Sequence, residues 1–121
     1  MKRLDEVPAY KIAAPLGDYI WNIVIEWDIF LKKTIGDQLV RVIDSIAANI
    51  AEEYGRHFKR DKIKFFYYAR GSVVEADFWV KKAYLRGLIT KEQWDHVMDG
   101  LRKLPREINY LIKITDKNLK I

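Results

Sequence analysis

The chain contains no cysteine. Without a thiol there can be no disulfide, no thiolate nucleophile and no cysteine-based zinc or iron–sulfur site. Histidine is nearly as scarce, at two residues in 121. Carboxylate-bridged di-iron bundles need Glu-x-x-His on two helices. Here each histidine instead follows a glutamate by four, as Glu53–His57 and Glu92–His96, so no metal site is expected. A phosphate-cradling loop and a dinucleotide fingerprint are both missing. Gly71-Ser72 lies inside helix-period sequence and not at a strand–turn–helix elbow, so it is no nucleophile motif. The chain therefore reads as no enzyme, with no catalytic residue and no cofactor.

Long apolar runs are missing too. The most apolar stretch, Tyr19–Leu31, carries Glu26 and Asp28 and falls short of the ~20 residues a bilayer requires. The opening MKRLDEVPAYKIAAPLG has early basic residues but two prolines and no apolar h-region, unlike a signal peptide. No membrane partner is expected, and a cytoplasmic location follows. Only three prolines occur against 50% hydrophobic residues, a balance that argues for a packed domain and against disorder.

What is present is helical periodicity. The pattern predicts an all-α fold, with residues 1–15 as an N-terminal extension and residues 16–121 as one four-helix-bundle domain. The first helix is expected over Leu16–Lys33, after Pro15 and with Asp18 in its first turn, broken by Thr34–Gly36. Asp37 then caps a second helix to Tyr54, which Gly55 ends as a left-handed cap. Arg56–Arg60 form a link, Asp61 caps a third helix to Arg86, and Gly87 closes it. Thr90–Gln93 is a capping-box pattern for a fourth helix to Ile114, kinked at Pro105. Short links favour antiparallel neighbours, hence an up-down-up-down bundle.

The second helix has an unusual polar stripe. Gln38, Arg41, Ser45, Asn49 and Glu52 step by three and four, sharing an arc of roughly 80°. The adjoining half of the wheel is apolar, from Leu39 and Val42 to Ile50. Such a composition fits a hydrogen-bonded network between helices as well as it fits a wet face. Ser72 and Glu75 on the third helix are the expected partners, Gly71 giving the two helices room to approach.

These residues also resemble a known family. The run SIAANIAE followed by YGR, with A-x-G-S-x-x-E on the next helix, resembles the bacterial four-helix-bundle proteins encoded in intervening sequences of 23S ribosomal RNA genes. The accessory variability proteins of diversity-generating retroelements are relatives of that family. The resemblance runs from about Gln38 to Ile114, with Gln38 seven residues before Ser45. Ala47 stands where the family usually has proline, and Glu53 where it usually has glycine. It implies a ring-like pentamer and a ribosomal RNA context; the retroelement relatives imply recruitment of a partner enzyme such as a reverse transcriptase.

The first helix is apolar nearly all round, from Ile20 and Trp21 through Val24 and Trp27 to Leu31. A small bundle buries one stripe of each helix, so Trp21 and Trp27 are candidates for an oligomer interface. The alternative is that Val7–Pro15 folds back over this face. Charge is divided as sharply. Residues 18–53 hold three basic and seven acidic residues, net −4; residues 54–121 hold sixteen and eight, net +8. Basic halves seek anionic partners, RNA foremost. The densest cluster is RHFKRDKIK: Arg56, Lys59, Arg60, Lys62 and Lys64 could contact phosphates while Phe58 stacks on an unpaired base. A second basic set, Lys81, Lys82, Arg86 and Lys91, lies at the far end of the third helix. Two functions are therefore open: a non-catalytic, RNA-binding homo-oligomer, or a scaffold that binds a partner protein.

Overall fold

Four helices build the chain, whose computed structural model describes residues 2–120; no strand occurs among them. Helix α1 is Pro8–Val24. Helix α2 is Asp37–Tyr54, entered without a break through an α-turn at Ile29–Leu31 and a π-helical segment at Lys32–Gly36. Helix α3 is Lys59–Leu85 and α4 is Lys91–Asn118. Each of α1 and α3 packs on both α2 and α4, enclosing one core. Ile20, Leu39, Ile43, Ile46, Ile50, Phe66, Val80, Val97, Leu104 and Ile108 are fully buried there. Each such side chain stabilises the fold by roughly 1.5–3 kcal/mol relative to exposure.

The start of the chain departs from expectation. Helix α1 begins at Pro8, in the first helical position where a missing N–H costs nothing. Pro15 lies inside the helix, and Asp18 is in its middle. Ala9 and Ala13, with almost no exposed surface, belong to the core, so Val7–Pro15 extends α1 and does not fold back over it. The break comes earlier than Thr34–Gly36, at Ile25–Asp28, where the Asp28 carboxylate accepts from the Leu31 N–H at 3.0 Å. Asp28, not Asp37, is the cap. Thr34–Gly36 stays helical because the Thr34 hydroxyl donates to the Phe30 carbonyl at 2.7 Å while Ile35 and Gly36 bury themselves.

The other helix ends divide. Thr90 and Gln93 form the expected reciprocal capping box, with bonds of 3.1 and 2.8 Å. Gly55 keeps a right-handed φ of −82°, so no left-handed cap forms there; among the described residues Gly87 alone, at φ +73°, needs glycine's freedom. Asp61 sits in the first turn of α3, whose cap position is Phe58. Close helix approach also falls elsewhere than expected. Gly71 faces open space, whereas a Cβ on Gly100 would lie 2.8 Å from Leu16 Cδ1, at the α1–α4 contact.

Candidate nucleic-acid interface

The link from α2 to α3 is short because Gly55 and Arg56 turn directly off the last helical carbonyls, donating to Ala51, Glu52 and Glu53. Phe58 then extends, φ −90° and ψ 143°, and α3 begins at Lys59. This end of the molecule also receives the other helices. The Tyr54 hydroxyl donates to the Lys2 carbonyl at 2.9 Å, and the Lys59 ammonium lies 3.1 Å from Asp116 near the end of α4.

The five cations of the cluster do different jobs. Lys62 donates to the Glu53 carboxylate at 3.1 Å and to its carbonyl at 3.2 Å, stapling α3 to the end of α2. Glu53 is only 9% exposed, the one charged residue in the interior among those described. Burial raises its pKa, and Lys62 only partly offsets that. Arg56 pairs with Glu52 and lies 4.8 Å over the ring of Phe65. Lys59 is held by Asp116. Arg60 and Lys64 enter no ion pair among the described residues, Lys64 lying 5.3 Å from the Phe65 ring centre. Beside them an open cleft of about 630 Å³ is lined by Phe58, Arg60, Asp61, Lys64, Tyr67 and Tyr68. Tyr67 and Tyr68 were missed as site residues, although the spacing Arg60, Lys64, Tyr67 places all three on one outward face.

The expected polar network is largely absent within the subunit. The Ser45 and Ser72 hydroxyls meet at 2.8 Å across α2 and α3, and Asn49 turns back to the Ser45 carbonyl at 2.8 Å. Gln38, Arg41, Glu52 and Glu75 face solvent. Arg41 pairs with Asp37 at 2.8 Å, and Glu75 accepts from the Trp79 indole at 3.2 Å, each along its own helix. Only Ser45 and Asn49, in the middle of the stripe, are half-buried at the seam; its two ends stay in solvent. Half of the far basic set is occupied in the same way: Lys81 pairs with Asp77 and Lys91 with Asp95, both at 2.8 Å. At the α1 tip Trp21 is 55% and Phe30 70% exposed, while Trp27 is half-buried against the core. No group of three potential metal ligands occurs among the described residues, and no described helix is long and apolar enough to cross a membrane.

The class defined by this geometry is a small all-helical bundle with a basic, aromatic-lined end. The chain belongs to the 23S rRNA-intervening sequence protein family, whose match spans residues 5–110. It is similar to a protein of unknown function from the S23 ribosomal protein family of Bacteroides thetaiotaomicron. That crystal structure superposes with a TM-score of 0.76 at 21% identity, covering 87% of this chain and 98% of its own. At that identity the likeness concerns the fold alone. No curated protein matches.

Proposed function

We propose that this protein is a non-catalytic, cytoplasmic RNA-binding protein, a single antiparallel up-down-up-down domain working as a ring-like homo-oligomer. The observation that carries the reading is the α2–α3 end, where Arg60 and Lys64 enter no ion pair among the described residues and line a cleft with three exposed aromatic rings. The family's ribosomal RNA context supports RNA over other polyanions. Of the sequence-derived contact set, Arg60, Lys64 and Phe58 carry the contact. Arg56, Lys59 and Lys62 chiefly hold the end together.

Counterion release supplies the test. Each cation that pairs with a single-stranded phosphate contributes about 0.7 to the slope of log affinity against log salt. Replacing Arg60 and Lys64 with Gln should therefore lower that slope by roughly 1.4 with helicity unchanged. An unaltered slope removes these residues from the interface. The exposed Trp21, Ile29 and Phe30 support a second reading, a scaffold for a partner protein such as a reverse transcriptase. Partner capture that survives ribonuclease treatment would favour it.

A further inference from the structure

The cleft at the start of α3 offers more than positive charge. Each of its rings is steadied on one side by a neighbour. The Arg70 guanidinium lies 4.7 Å from the Tyr67 ring centre and is itself tied to Asn109 at 2.7 Å. Tyr68 meets Phe65 edge-on at 5.5 Å, and Phe58 meets His57 in the same way at 5.3 Å. Yet Phe58, Tyr67 and Tyr68 remain 54%, 47% and 52% exposed. Rings already fixed, with a free face, lose little freedom when something stacks on them. Duplex RNA hides its base faces in its own stack, so platforms of this kind serve unpaired bases.

Asp61 is the informative member of the lining. A carboxylate repels phosphate, so it detracts from a purely electrostatic site. It enters no ion pair among the described residues, leaving both oxygens free to accept. Of the four RNA bases, guanine alone presents two adjacent donors, N1–H and the N2 amine, that match two carboxylate oxygens. Uracil presents one N–H between two carbonyl oxygens, which a carboxylate repels. Taking RNA as the ligand, as proposed above, we infer that this cleft holds an unpaired guanine of a single strand. The base stacks on the exposed rings and turns its Watson–Crick edge to Asp61, while Arg60 and Lys64 take the flanking phosphates.

The probes are a hexauridylate, the same hexamer with one internal guanosine, and a blunt RNA duplex, measured by fluorescence anisotropy at fixed salt. The unsubstituted protein should bind the guanosine hexamer about tenfold more tightly than the hexauridylate. Asp61→Asn should remove that preference. Tyr67→Ala with Tyr68→Ala should weaken both hexamers about tenfold and leave the duplex unchanged. The matching pair Tyr67→Phe and Tyr68→Phe should bind like the original, which separates stacking from loss of structure. Equal affinity for the two hexamers, or an alanine pair that binds single strands normally, overturns the guanine site. If Arg60 and Lys64 still set the salt slope in that case, the RNA reading stands without it. If the unsubstituted protein binds no RNA in any form, both fall.

Discussion

At the residue scale, the Glu53–Lys62 pair shows how a charge is accommodated inside the bundle. The Glu53 carboxylate is carried inside the α2–α3 junction, 9% exposed. The pair joins residues nine apart across a turn, a separation at which helix periodicity gives no signal, so its partner was not legible in the sequence. Burial raises the Glu53 pKa above its ordinary 4.5, so the folded state holds this proton more tightly than the unfolded chain does. The sign follows: the stability from Glu53 is fully present below about pH 4.5 and is lost as pH rises through the folded pKa. Urea midpoints across pH 4–8 should show that decline, and Glu53→Gln should flatten it. A slope identical in both proteins would mean that the carboxylate is solvated. Lys62→Gln should destabilise at neutral pH, by about 1–3 kcal/mol, because it leaves a buried anion unpaired.

At the element scale, glycine positions decide how closely helices meet. Alanine inside a helix is favoured over glycine by roughly 0.5–1 kcal/mol through backbone entropy alone. At Gly71, with nothing near a would-be Cβ, that gain should appear undiminished as a higher melting temperature in Gly71→Ala. At Gly100 the new methyl would press on the buried Leu16 side chain from 2.8 to 3.3 Å. Overpacking of that kind costs about 1–3 kcal/mol, so Gly100→Ala should melt lower. The reverse order would show that α1 and α4 can slide apart freely.

The same scale shows what was readable. The Thr90–Gln93 box and the buried rows of α2 and α4 follow local rules, and the sequence displays them. The entry to α2 does not, since Asp28 lies inside an apolar run and looks like an interruption of a helix before it looks like the cap of one. Pro15 misleads in the opposite direction, because a proline on an exposed helix face can sit within a helix that the core holds in place. The aromatic cleft needed coordinates. Tyr67 could be placed by its spacing from Arg60 and Lys64, but Tyr68 lies in an uninterrupted aromatic run with the buried Phe66, where neighbouring rings alone do not show which point outward.

At the scale of the whole molecule, unsatisfied apolar surface is the outstanding feature. Trp21, Ile25, Ile29 and Phe30 crowd the α1 tip beside an apolar cavity of about 310 Å³ lined by Trp21, Val24 and Val40. Val74, Phe78 and Leu85 line the outward side of α3, well away in sequence and on another element. Patches of this kind mark contacts with other protein surfaces. Sedimentation equilibrium at micromolar concentration should report a multiple of the subunit mass, five being the number implied by the family resemblance. Trp21→Arg combined with Phe30→Arg should reduce it to the monomer without loss of helicity, since neither side chain supports the core. A monomeric unsubstituted protein would rule the ring out.

The π-helical segment Lys32–Gly36 bears on how that tip is aimed. A π turn accommodates about one residue more than the α-helical path around it, and one residue is worth ~100° of rotation about the helix axis. Beyond it, Leu39 to Ile50 keep their phase with the core whatever happens upstream. Before it, Ile29 and Phe30 point wherever the extra residue sends them. The bearing of Ile29 and Phe30 thus depends on the length of this segment as well as on the buried Ile35 that anchors it. A lineage that lost one residue here could swing its sticky end by more than a quarter turn and present it to a different neighbour, leaving every core contact of α2 in place.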